Sequence, residues 1–251
     1  MSSLKLGDIR EIPEENRWYY VLGKVLSFPG VKVGREEFLK ERFTKYCGED
    51  KVMAIIENGI GKAGVSLELI DEVAQKVIDH HRVLAVGASA LSGIPGGLAL
   101  FATVPVDIAQ YYVHALLVAQ ELAYIYGYPD LKQGGDEDFA ACLTIFIGTM
   151  SGVNMAAMGI QQLSNMLASG VLKNLSRKAL TKTTVYPLVK QIAKWLGVRM
   201  TKQIFARGVA KAVPILGSLT SGGLTFVIFS REASRLRESL RSDFILQQKV
   251  D

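Results

Sequence analysis

Ser66–His81 reads SLELIDEVAQKVIDHH, and this stretch decides the fold class. Leu67, Ile70, Val73, Ala74, Val77, Ile78 and His81 recur three or four residues apart and lay one apolar stripe along a helix. Ser66 suits the N-cap and Glu68 the first turn, where a hydroxyl and a carboxylate meet unpaired backbone N–H groups. Outward from here the pattern repeats. Glu14–Phe28 predicts a first helix stopped by Pro29-Gly30, Arg35–Cys47 a short charged one, and Val52–Ile60 another before the Gly59–Gly64 break. No segment alternates with period two between hairpin turns, so the reading is all-α: a compact helical bundle with glycine-rich central helices.

With 251 residues, 49% hydrophobic and 21% charged, the chain has ample material for a core, which excludes disorder as its dominant state. Residues 1–251 are expected to form one domain, with 1–34 as an N-terminal helical extension. Cys47 and Cys142 make no CxxC pair and no disulfide framework. No basic-then-apolar leader opens the chain, so the expected location is the cytoplasm, at the inner face of the cell membrane.

The charge is unevenly placed. Residues 1–138 carry 14 Lys/Arg against 20 Asp/Glu, whereas Phe139–Arg231 holds 11 Lys/Arg and no carboxylate across 93 residues. Either an external anionic partner or the acidic first half of the same chain could meet that charge. Three uncharged runs accompany it: Val83–Val106, Phe139–Leu172 and Ala212–Ser230. Their lengths approach the roughly 20 residues of a membrane span. However, Ile94-Pro95-Gly96-Gly97 interrupts the first, and Asn154, Gln161, Gln162 and Asn165 make the second polar. Gly148, Gly152, Ala156 and Gly159 are spaced for close helix packing, and the runs read as buried central helices.

Between the second and third runs the basic residues fall in phase. In Tyr186–Leu196, the residues Leu188, Val189, Ile192, Trp195 and Leu196 share a face opposite Lys190 and Lys194. After Gly197 the phase shifts to Val198, Ile204, Phe205 and Val209, with Arg199, Lys202, Arg207 and Lys211 outside it. Two short amphipathic helices joined near Gly197 are expected. Aromatic residues backed by Lys/Arg have the composition of an interfacial membrane helix, and equally of an ordinary basic surface helix.

The chain has no P-loop, HExxH, GxSxG or EF-hand pattern. Its sharpest polar feature is on Pro105–Tyr126, where Asp107, Gln110, His114 and Glu121 fall within about 60° of one another on an otherwise apolar helix. Such a stripe could line a ligand cavity, do acid–base work, or simply form a satisfied buried hydrogen-bond ladder. His80 and His81 point about 100° apart and cannot easily share one ion, so His81 reads as a packed core histidine. No metal and no cofactor are expected, and no catalytic residue is assigned.

Gly93-Ile94-Pro95-Gly96-Gly97, Ala102–Gln110, Leu122–Leu131, Val213–Gly217, Gly222-Gly223 and the amphipathic Arg231–Leu240 together resemble the EcsC family of bacterial proteins. The resemblance covers roughly Arg35–Leu240. It implies a helical protein with the hydrophobic make-up of a peripheral membrane protein, possessing no established catalytic residues and linked by its family name to a transporter operon. The expected function is therefore non-enzymatic attachment to the membrane, through anionic lipids or a membrane-protein partner. Lys190, Lys194, Arg199, Lys202, Arg207 and Lys211 would attract headgroups while Trp195 and Phe205 enter the interface. Alternatives are a hydrophobic or lipid ligand held by Asp107, Gln110, His114 and Glu121, a membrane-inserting toxin or effector, and, weakest, an enzyme. Nucleic acid is not the expected partner, because no recognised fold motif accompanies the charge.

Overall fold

A computed structural model describes residues 12–86, 106–168, 185–210 and 218–249. All secondary structure among them is helical. In chain order the helices are α1 (Glu14–Leu26), α2 (Arg35–Phe43), α3 (Glu49–Asn58), α4 (Leu67–Val86), α5 (Val106–Ile125), α6 (Asp136–Met150), α7 (Asn154–Ala168), α8 (Val185–Ala210) and α9 (Ser218–Gln248), with a 3-10 turn at Leu131–Gly134 before α6. The expected cap of α4 forms: the Leu69 N–H donates to Ser66 Oγ at 3.3 Å. Ile70, Val73, Ala74, Val77, Ile78 and His81 are buried along that helix, as their spacing requires.

Two helices form the centre. α5 packs on α1, α2, α4, α6 and α9, and α6 packs on α5, α7, α8 and α9. From Asp138 to Met150 every residue of α6 but Ala140 is buried. The expected central run Phe139–Leu172 is not continuous, however. Gly152 takes φ +75° and ends α6, with the N–H groups of Gly152 and Val153 reaching back to the Thr149 and Gly148 carbonyls at 3.0 and 2.9 Å. This is the left-handed helix stop that glycine permits. The chain then folds back as α7, whose outer side exposes Asn154, Ala157, Met158 and Gln161. Only its first twelve residues, Phe139–Met150, belong to the central helix α6. Gly148 and Gly159 do serve close packing. A Cβ at Gly148 would lie 2.5 Å from Ile192 Cγ2 of α8, and one at Gly159 would lie 3.0 Å from Ile145 Cγ2.

The N-terminal helix is part of this core rather than an appendage. Trp18 is fully buried, its indole N–H donates to Thr144 Oγ1 at 2.8 Å, and its ring meets Tyr112 edge-on with centroids 5.7 Å apart. A side chain of that size contributes upwards of ~2 kcal/mol by leaving water. The C-terminal helix is fastened by Arg241, whose Nε donates to Asp71 Oδ2 of α4 at 2.7 Å, while Tyr126 of the α5 end donates to Asp71 Oδ1 at 3.0 Å. The motifs Gly93–Gly97, Ala102–Pro105 and Val213–Gly217, most of the run Val83–Val106 and the start of the run Ala212–Ser230 lie outside the described residues.

Candidate functional site

The basic segment forms one helix, not two. α8 runs without interruption from Val185 to Ala210, and Val185, Val189, Ile192, Ala193, Leu196 and Met200 are buried in unbroken helical phase. Gly197 is not a joint but a crossing point. α1 passes so close that a Cβ there would lie 1.9 Å from the Glu14 carbonyl oxygen. The absence of a side chain lets two backbones touch, and nothing in the local pattern of one helix reveals that.

Its outward arc carries Lys190, Gln191, Lys194 and Trp195, all exposed. Trp195, expected on the apolar face, is 40% exposed and sits on the same open surface as the lysines. The Lys190 ammonium lies 4.7 Å from the Tyr186 ring centroid, and among the described residues neither Lys190 nor Lys194 pairs with a carboxylate. Arg199 differs. Its guanidinium lies 5.6 Å from the Trp195 ring centre, donates to the Ser151 carbonyl at 3.0 Å and pairs with Glu232 of α9, a carboxylate only 4% exposed. Tyr111 of α5 donates to the same Glu232, and burial first, then that carboxylate, pushes its hydroxyl pKa well up. Arg199 is therefore committed to the interior and is withdrawn from the set of headgroup contacts. Lys202, Phe205 and Arg207 belong to α8, but their side chains lie outside the described residues, as does Lys211.

Close to this network, the end of α4 and the early turns of α9 meet. Arg82 sits 4.8 Å over the Phe226 ring, and Tyr111 packs edge-on against Phe229 at 5.8 Å. Val83 and Val227 are each 61% exposed there, and Val86 and Ile228 are exposed as well.

The polar stripe of α5 faces α4, not a cavity. Gln110 Nε2 donates to the Leu84 carbonyl at 2.8 Å. His114 Nδ1 faces His81 Nδ1 at 3.2 Å, and both rings are 4% exposed. On the other side of His81, Nε2 lies 3.2 Å from Glu121 Oε1, an ion-pair distance off the alignment of a hydrogen bond. Arg42 of α2 completes the line, with Nη2 3.9 Å from Glu121 Oε2. Burial, then the neighbouring His81 and His80 charges, pulls the His114 pKa down to about 3. His81 is a core histidine, as its place in the stripe predicts, and its pairing with His114 across two helices is the part the sequence does not display. The side chain of Asp107 is outside the described residues. With Gln110, His114 and Glu121 occupied by α4 and α2, the reading of this stripe as the wall of a lipid cavity loses its support. Among the described residues, no three His, Cys, Asp or Glu side chains are grouped to hold a metal ion.

No helix of the described residues is long and apolar enough to cross a membrane. Comparison of the chain with family models, curated proteins and solved structures finds no match.

Proposed function

We propose that this protein is a peripheral membrane-associated protein, the class its resemblance to the EcsC family implies, and that it docks α8 on an anionic lipid surface. The observation that carries the reading is the outward arc of α8. Lys190, Lys194 and Trp195 stand together on open surface, inside a 93-residue stretch of sequence that contains no carboxylate. Each lysine near such a surface contributes ~1 kcal/mol, and a tryptophan is suited to the boundary between headgroup and acyl chain. Two lysines alone give weak, reversible attachment.

Flotation with phosphatidylserine-containing vesicles tests the proposal. Wild type should float with them, should float less with neutral phosphatidylcholine vesicles, and should be released as salt shortens the Debye length from ~10 Å at 0.1 M to ~3 Å at 1 M. The double variant Lys190→Glu/Lys194→Glu, at positions that form no ion pair among the described residues, should stay in the soluble fraction while keeping its helical circular dichroism. Equal flotation of variant and wild type would overturn the assignment to α8.

A further inference from the structure

The surface of α7 differs from that of its neighbours. Its exposed side chains are Asn154, Ala157, Met158, Gln161 and Asn165, and none is charged. Every other helix with exposed side chains among the described residues shows a charged one, such as Glu36 on α2, Glu72 on α4, Lys190 on α8 and Arg231 on α9. Inward, Ala156, Ile160 and Leu163 are buried, and the helix packs on α6, α8 and α9. Outward, Met158 is 52% exposed, and the amides of Asn154, Gln161 and Asn165 have no hydrogen-bond partner among the described residues.

This chemistry narrows what the face can meet. Nucleic acid and strongly acidic or basic peptides are drawn by opposite charge, which the face lacks. Three amides along roughly 16 Å of helix also suit hydrocarbon poorly, since each would leave water without a partner. A protein surface of the same kind fits better. Interface centres are depleted in charge and enriched in methionine, whose flexible thioether adapts to its neighbour. The order of the stripe points to which protein. Asn154, Met158, Gln161 and Asn165 follow at intervals of four, three and four residues, the same spacing in either direction. Laid antiparallel on its own copy about a twofold axis, the stripe sets Asn154 opposite Asn165 and Met158 opposite Gln161, twice each. An amide both donates and accepts, so two asparagines can satisfy one another.

We infer that α7 is a self-association surface, on which two copies of this chain pair through antiparallel α7 helices. One helix face covers less than the ~800 Å² per partner of a standard interface, which makes the dimer weak and concentration-dependent. The contact is separate from the outward arc of α8, and neither depends on the other.

Sedimentation equilibrium of the full chain between about 5 µM and about 500 µM decides it. The average mass of wild type should climb from one chain towards two and go no further. Met158→Glu puts a carboxylate from each copy beside the axis and should raise the midpoint of association at least ~10-fold, with unchanged circular dichroism. The double variant Met158→Lys/Gln161→Glu sets each lysine opposite a glutamate of the other copy and should restore pairing; failure to do so would overturn the antiparallel arrangement. The mass of one chain at every concentration, growth beyond two chains, or a dimer indifferent to Met158→Glu would each overturn the inference. Vesicle flotation tests the other occupant. A wild type that stays monomeric and loses flotation on Met158→Glu would assign the face to lipid and overturn self-association, whereas the behaviour of Lys190→Glu/Lys194→Glu bears only on α8.

Discussion

His81 and His114 share a single proton position: their Nδ1 atoms stand 3.2 Å apart in the buried contact between α4 and α5. One ring can donate to the other only while the acceptor stays neutral. Protonating both would bring two N–H groups face to face in a site with little water. The pair holds α4 to α5 on condition that the two facing nitrogens do not both carry a proton, and burial sets His114 against taking up a second one.

That condition sets a pH dependence. The His114 pKa is down to about 3 in the folded protein against an ordinary 6.5, so protons favour the unfolded chain. Its contribution to stability is complete above 6.5 and is lost progressively as pH falls from there towards 3. Between about pH 7.5 and about pH 5, wild type should lose roughly 1–2 kcal/mol more than His114→Gln in urea unfolding. Parallel losses in the two proteins would remove His114 from the account.

Arg199 and Lys194 should behave as opposites although both are basic residues of α8. Arg199→Met leaves Glu232 buried without its cation and should cost ~3–5 kcal/mol. Lys194→Ala removes an exposed side chain and should stay within about 0.5 kcal/mol of wild type. Similar melting temperatures for the two variants would show that the Arg199–Glu232 pair does not hold α8 against α9.

Two glycines on either side of one helix contact should also part company. Gly197→Ala forces a methyl group into the Glu14 carbonyl and should cost at least ~3 kcal/mol or undock α1. Gly23→Ala lies on the exposed side of α1, where a Cβ meets nothing within 4 Å, and should stabilise by roughly 0.5–1 kcal/mol. Equal and small effects would mean that α1 and α8 do not cross at Gly197.

Gly152 is demanded by its backbone more than by its neighbours. At φ +75°, Gly152→Ala should cost roughly 1–2 kcal/mol and Gly152→Asn less, since asparagine tolerates the left-handed region. A packing glycine would rank the two the other way, because asparagine is larger and Arg235 Nη1 lies 2.9 Å from the position of a Cβ. Chemical denaturation of both variants distinguishes the two causes.

Helical periodicity makes the faces of this protein legible and leaves their neighbours hidden. Ser66 and the stripe from Ile70 to His81 announce α4 with its cap and its buried side. Nothing local says that His81 meets a histidine 33 residues on, that Arg199 meets Glu232 across a further 33, or that α1 lies against Gly197. The long uncharged run beginning at Phe139 hides its own turn because Gly152 resembles the packing glycines around it. The fold separates it from them by its positive φ and its exposed position. The same limit governs the candidate sites. The basic arc of α8 is visible in the composition, whereas Tyr111, Arg199 and Glu232 are unrelated residues until the fold brings the three together.

Trp18 and Trp195, the only tryptophans in the chain, lie on the two helices that cross at Gly197, one fully buried and one 40% exposed. The molecule thus carries two fluorophores in opposite surroundings. Acrylamide should quench Trp195 and spare Trp18, and a Trp18→Phe variant leaves an emission spectrum that reports only what touches the outer side of α8. A shift to shorter wavelength on contact with lipid would then come from that surface alone, and unfolding of the interior would be read separately from the indole that remains in Trp195→Phe.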